Sequence, residues 1–499
     1  MIMKKFTITV ISLFMVLLIS LSAVGEAIGT SSKYASNQDY IQSENLALRD
    51  KNNKMADGKV SSVYRFKTRN GGESVIDLGE SCDFNSVILK EKGLNVQKFS
   101  ISISDDNKSF TQIYANDKIE FHRLCTFDTV KARYVKLTVE ESDNLPKIRE
   151  MEIYNAVPEK KTNFRVSSYS TLGSTIYGVI DDTTLSNAEK DAKIKKLIDA
   201  DYYDTITDYI QIGNVRWKED GSVIISGWDE KEFDEDKYYA VMMKNLHEVL
   251  DEKGVNLVIT ILNPSGENGN QKVMKSITEN RDALITNMIA FANKYEFDGI
   301  DLDWEFPMSQ DEFDAYNSFL QELKARMKAE MWNREKSTLS LALATWALKY
   351  TPETINCIDY VNVMGYDILD QDGQHSSFFS SCVQAGDYIE SQGFSKQQID
   401  IGFPFYGTWE GGRMEQYAYN AISEEISPFN NFYTMKKSDT KEDRYTYFNS
   451  QAIIRDKTAY AYLKGYGGVM IFSQYCDLPS DDERSLTNAI SDYLQEVTK

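Results

Sequence analysis

The segment Phe297-Asp298-Gly299-Ile300-Asp301-Leu302-Asp303-Trp304-Glu305-Phe306-Pro307 alternates acidic and apolar residues. On an extended strand, alternate side chains share a face. Asp301, Asp303 and Glu305 are therefore predicted on one face, with Ile300, Leu302 and Trp304 on the other. The apolar flank argues against a strand lying in solvent. No oxygen-rich turn follows the acids, which argues against a divalent-cation loop, and no metal is expected. Three carboxylates side by side in an interior are costly. Burial and mutual repulsion should push at least one of their pKa values up. A carboxyl kept protonated near neutral pH suits general acid catalysis.

Working outward, short apolar strands alternate with amphipathic helices. The predicted strands are Arg165–Tyr169, Ile206–Gly213, Asn256–Leu262, Phe297–Glu305, Leu339–Ala344, Tyr360–Tyr366, Ile399–Phe403 and Gly468–Phe472. Helical runs fall between them, as at Lys237–Lys253 and Gln310–Met331. Eight such pairs over residues 164–499 predict a (β/α)8 TIM barrel. In that fold the carboxyl ends of the strands carry catalysis, and the acidic run ends at one of them.

The chain before residue 164 has another texture. Residues 45–156 hold short alternating runs such as Ser74-Val75-Ile76-Asp77-Leu78 and Arg133-Tyr134-Val135-Lys136-Leu137-Thr138, separated by turn residues such as Asp105-Asp106-Asn107. Regular short strands of this kind predict an all-β sandwich. Residues 157–163 read as a linker and residues 28–44 as a polar spacer. Residues 1–27 combine Lys4-Lys5, an apolar run from Phe6 to Val24, and small residues after it. That pattern predicts a cleaved secretory signal and a secreted, extracellular protein with no membrane association after cleavage.

The 499 residues carry a net charge of −21 and no basic cluster, which excludes nucleic acid as an expected partner. The 30 Tyr, 24 Phe and 6 Trp are plentiful enough to supply sugar-stacking rings beside core. Cys82, Cys125, Cys357, Cys382 and Cys476 are scattered, so zinc is not expected. Cys82 and Cys125 fall in the same unit and are a candidate bridge. His122, His247 and His375 are too scattered for a metal or a triad and read as surface or loop residues.

Asp298-Gly299-Ile300-Asp301-Leu302-Asp303-Trp304-Glu305 resembles the Asp-x-x-Asp-x-Asp-x-Glu signature of family 18 glycoside hydrolases, the chitinase family. Met364-Gly365-Tyr366-Asp367, Gly402-Phe403-Pro404-Phe405-Tyr406-Gly407 and Gly467-Gly468-Val469-Met470-Ile471-Phe472 resemble that family's segments on strands six, seven and eight. The resemblance implies that Glu305 is general acid and then base, that Asp303 holds the substrate's acetamido group, and that Asp301 supports Asp303. It implies that Tyr366 donates to the acetamido group, that Met364, Asp367, Phe472 and Tyr406 line the sugar site, and that Asp298 is structural. The nucleophile would be the substrate's own N-acetyl oxygen, with no cofactor.

The implied activity is retaining, endo-acting hydrolysis of β-1,4-linked N-acetylglucosamine glycans, chitin or chitooligosaccharides foremost, by a monomer. The alternatives are an endo-β-N-acetylglucosaminidase acting on N-glycans or peptidoglycan, and a chitinase-like lectin without turnover. Phe472 stands where the family usually has Trp, and Ile259–Gly266 matches the strand-three segment loosely. The short stretch between Phe403 and Gly468 leaves little room for the α+β insertion that deepens the groove in some relatives, so a shallow cleft is expected. Residues 45–156 resemble the discoidin (factor 5/8 type C) module, through Asp77-Leu78-Gly79, Ser104-Asp105-Asp106, Ala132–Leu137 and Ile148–Tyr154. Such a module would bind glycan polymer and be separable from turnover of small substrates.

Overall fold

A computed structural model describes residues 40–498 apart from 60, 199, 227–230, 369–376, 410–411, 423–426 and 437–442. The expected signal at 1–27, most of the spacer, and His375 lie outside the described residues.

The N-terminal unit is a six-stranded antiparallel sheet in the spatial order Tyr64–Arg65, Lys147–Tyr154, Gly72–Glu91, Arg123–Ser142, Val96–Ser104, Thr111–Asp117. Its two long strands, Gly72–Glu91 and Arg123–Ser142, pair with register shifts between Asp77 and Cys82 and between Phe84 and Ser86. Such bulges bend a ladder and increase its twist. The bend lets both halves of these strands line one core, in which Ile76, Phe84, Leu89, Leu137 and Ile153 are buried. The same register rules out the Cys82–Cys125 bridge. Cys82 lies opposite Ala132 and Cys125 opposite Val87, at different rungs, and both thiols are free.

The second unit is a closed barrel of eight parallel strands. They are β1 Arg165–Ser170, β2 Asp208–Gln211, β3 Asn256–Thr260, β4 Gly299–Leu302, β5 Thr338–Leu343, β6 Tyr360–Val363, β7 Ile399–Pro404 and β8 Gly468–Phe472. All eight predicted strands are present, several shorter than the apolar runs that announced them. Strands enclosed on both faces read as near-continuous apolar runs, and β2, β4, β6 and β7 are buried at every position. Helices used below are α1 Gln310–Glu330, α2 Phe379–Ser391 and α3 Gln451–Lys464. Among the described residues no helix is long and apolar enough to cross a membrane.

Two features depart from expectation. The stretch between β7 and β8 does hold an insertion, a four-stranded antiparallel sheet in the order Gly412–Ala418, Tyr406–Trp409, Asp443–Tyr447, Phe432–Lys436. The stretch thus holds a small sheet where the sequence reading left little room for an insertion.

The two units also share a buried polar interface. Asp456 on α3 accepts from Tyr114 Oη at 2.5 Å, from Thr126 N at 2.8 Å and from Thr126 Oγ1 at 2.7 Å, and lies 3.5 Å from Arg123 Nη2. All of those partners belong to the N-terminal unit. Tyr40, at the end of the expected spacer, packs edge-on against Tyr460 of α3 and hydrogen-bonds His122 at 2.7 Å. In the expected linker, Lys161 N donates to Tyr462 Oη at 2.7 Å.

Candidate active site

The acidic run begins inside β4 and continues past its carboxyl end. Asp301 is fully buried in the strand, and Asp303 and Glu305 follow beyond Leu302 at the barrel mouth. Asp301 accepts from Tyr169 Oη at 2.9 Å, Thr260 Oγ1 at 2.8 Å and Ser340 Oγ at 2.7 Å. These donors come from β1, β3 and β5. Thr260 and Ser340 are the register neighbours of Asp301 on either side, so one layer of the barrel supplies the cage. Burial pushes the Asp301 carboxyl up, and its donors pull it back down.

Asp303 has no such cage. Its Oδ1 is buried and makes no hydrogen bond among the described residues. Burial, then the charges of Glu305 and Asp301, hold this carboxyl well above the usual carboxylate range. Glu305 is pushed up to about 7, by burial first and then by the charge of Asp367. The arrangement pairs a carboxyl that exchanges its proton near neutral pH with a neighbour whose buried oxygen awaits a donor.

The segment carrying Glu305 is held from both sides. Asn270 accepts from Trp304 Nε1 at 3.0 Å and donates to Phe306 O at 3.1 Å, bracketing the acid. Beyond Pro307, Ser309 and Glu312 form a reciprocal capping box that starts α1. This fixes where the acid loop ends.

Past β6, the Tyr366 ring stacks on Phe472, with centroids 5.9 Å apart and planes at 23°. Tyr406 meets Tyr366 edge-on at 6.2 Å, and Tyr169 lies 5.8 Å from Phe472. Phe472 thus forms one wall of an aromatic box with three tyrosines at the carboxyl end of β8. Gly402 on β7 makes room for that box, because a Cβ there would lie 2.9 Å from Tyr366 Cε1 and against the Val363 carbonyl oxygen. Tyr406 Oη donates to Asp367 Oδ1 at 2.9 Å. Asp367 holds a left-handed backbone, φ 56°, which Asp tolerates better than most residues.

The structure therefore gathers Asp301, Asp303, Glu305, Tyr366, Asp367, Tyr406 and Phe472. Met364 is half-buried at the end of β6, with its amide donating to Leu343 O. Asp298 sits at the opposite, amino end of β4, where it accepts from Leu257 N, Asn333 Nδ2 and Lys336 Nζ. Among the described residues no group of three or more His, Cys, Asp or Glu is placed to hold a metal ion. Sequence reasoning missed Tyr169, Thr260, Ser340 and Asn270.

Residues 184–477 match the family described as glycosyl hydrolases family 18, more than half of the chain. The chain belongs to that family. Residues 30–153 match the F5/8 type C domain. A class V chitinase of Arabidopsis thaliana is 28% identical over 196 residues, covering 34% of this chain and 52% of its own length. Chitinase A1 of Niallia circulans is 26% identical over 273 residues, 42% of this chain and 38% of that protein. The chain thus spans about half or less of these curated relatives. Among solved structures, the GH18 chitinase ChiB of Flavobacterium johnsoniae superposes with a TM-score of 0.50 at 20% identity, over 68% of this chain and 96% of that one. That likeness is one of fold.

Proposed function

We propose that the chain hydrolyses β-1,4-linked N-acetylglucosamine glycans, chitin or chitooligosaccharides foremost, with internal cleavage and net retention. The observation that carries this reading is the Asp303–Glu305 pair: a carboxyl poised near pH 7 beside a buried acceptor without a donor. Glu305 gives its proton to the glycosidic oxygen as the C1–O bond breaks. The substrate's acetamido oxygen closes on C1 and forms an oxazolinium ion. Asp303, with Asp301 fixed beneath it, accepts the acetamido N–H and stabilises the positive charge on that group. The Glu305 carboxylate then takes a proton from water, which opens the ring with the β configuration restored. Tyr366 donates to the acetamido group, and Met364, Asp367, Tyr406 and Phe472 line the sugar site.

Export with loss of residues 1–27 belongs to the same proposal, and N-terminal sequencing of secreted protein checks it. A lectin without turnover is disfavoured by the presence of Glu305. The deciding experiment assays wild type and Glu305→Gln on chitooligosaccharides, a high-mannose glycoprotein and peptidoglycan. Turnover of chitooligosaccharides by wild type, with binding but no turnover by Glu305→Gln, is expected. Release only from the glycoprotein or peptidoglycan moves the substrate; a fully active Glu305→Gln removes Glu305 from the mechanism.

A further inference from the structure

Helix α2 starts shortly after the segment that carries Tyr366 and Asp367. Its N-cap residue, Phe378, supplies no side-chain hydrogen bond to the first turn. The first amides of a helix need acceptors from elsewhere. Here they find one on the other unit. Glu120, in the loop of the N-terminal unit between strands Thr111–Asp117 and Arg123–Ser142, is buried, and its two carboxylate oxygens accept from Phe379 N, at 3.1 Å, and from Ser380 N. A carboxylate at a helix amino terminus also meets the positive end of the helix dipole.

The capped turn reaches the site directly. Ser377 Oγ, which accepts from Lys457 Nζ, donates to Gly365 O at 3.3 Å, and Ser381 Oγ, which donates to Phe378 O at 2.7 Å, packs 3.4 Å from the same Gly365 oxygen. Gly365 precedes Tyr366 and the left-handed Asp367. A non-glycine residue in that region is held there by its surroundings. Tyr406 holds the Asp367 side chain, and the start of α2 bears on Gly365, two residues before it.

We propose that Glu120 is a positioning residue for the reaction, acting through the first turn of α2 on Tyr366 and Asp367. On this proposal the N-terminal unit is part of the catalytic body, and turnover of small substrates depends on it. The inference rests on the reading that Glu305 and Tyr366 act on a glycan.

The test uses the full chain carrying Glu120→Gln, Glu120→Ala or Ser381→Ala. Ser381→Ala is a small change inside the helix and keeps the chain folded even if Glu120→Ala does not. With a soluble chitooligosaccharide, kcat should fall about tenfold in Glu120→Ala and less in Glu120→Gln, which keeps one acceptor. KM should change less than kcat. The groups facing Glu305 are Asp303, Asp367 and Tyr366. Displacing Asp367 relieves Glu305 of a like charge, so the alkaline limb of the pH profile should move to lower pH. A purely structural role would leave that limb in place. Amide exchange should quicken at residues 364–367 and 378–381, a readout that needs no turnover. Wild-type kcat and pH limb in both Glu120→Gln and Ser381→Ala overturn the proposal. So does unchanged exchange, even for a wild type that cleaves no glycan offered, the outcome that would sink the reading of function instead.

Discussion

Asp456→Ala perturbs the interface at its most enclosed point. Asp456 and Arg123 are both fully buried, 3.5 Å apart at Nη2. Burial pushes the Asp456 carboxyl up, and Arg123, Tyr114 and Thr126 draw it back. Removing the carboxylate takes from the enclosed Arg123 cation the anion at 3.5 Å, leaving it to Glu120 and Asp117, and strands Thr126 N. Breaking a buried pair from one side costs about 3–5 kcal/mol. At about 1.4 kcal/mol per tenfold, that is roughly 10²–10⁴ in the folded-to-unfolded ratio. Urea unfolding followed by tryptophan fluorescence reads this as a lower midpoint. Arg123→Met combined with Asp456→Leu removes both charges and should recover most of the loss. It should not recover all, because Tyr114 and Thr126 still lack their acceptor, at about 1–3 kcal/mol for a stranded group. A loss under about 1 kcal/mol for Asp456→Ala, or a double variant no better than the single, refutes the reasoning.

Two further outcomes follow from the site. Activity that needs protonated Glu305 should be present below pH 7 and decline as pH rises through about 7. Asp367→Asn should move that limb to lower pH; a kcat/KM profile with an unmoved limb shows that Asp367 does not set it. The same raised value means that burial of Glu305 carries no ionisation penalty below its ordinary value of 4.5, and that stability is lost as pH rises from there through about 7, readable as a falling Tm. Gly402→Ala places a methyl against Tyr366 and the Val363 carbonyl. Overpacking of this kind costs about 1–3 kcal/mol, and here it should also raise KM by displacing Tyr366. Wild-type Tm and KM would show that the box has slack.

The barrel was legible because burial on both faces leaves apolar runs that period and length betray. Strand ends were less so. Asp303 and Glu305 follow β4 rather than lie within it, since alternation continues where strand pairing stops. The cage around Asp301 did leave a trace. Ile259-Thr260-Ile261 and Leu339-Ser340-Leu341 each set one small polar residue between aliphatics, as Ile300-Asp301-Leu302 does. A lone polar group in a buried strand needs a partner, and register supplies it. Asn270 carries no such mark, because its role depends on a loop meeting a distant strand end. The interface was invisible for a related reason. Glu120 and Asp456 read as ordinary charges in a chain with 76 acids, and only the docked units show that each finds its donors across the boundary.

The connection at Lys161 has a consequence for polymers. Its amide meets Tyr462 Oη at 2.7 Å and its ammonium meets Tyr462 O at 2.5 Å, so the stretch between the units is fastened to α3. A loose tether lets a second binding site sample many distances, with an effective concentration set by linker length. Here the bearing and range between the sheet and the barrel mouth are constant. Any polymer that met both units would have to bridge that one span, so its stiffness and repeat, not a tether's reach, would decide whether it could.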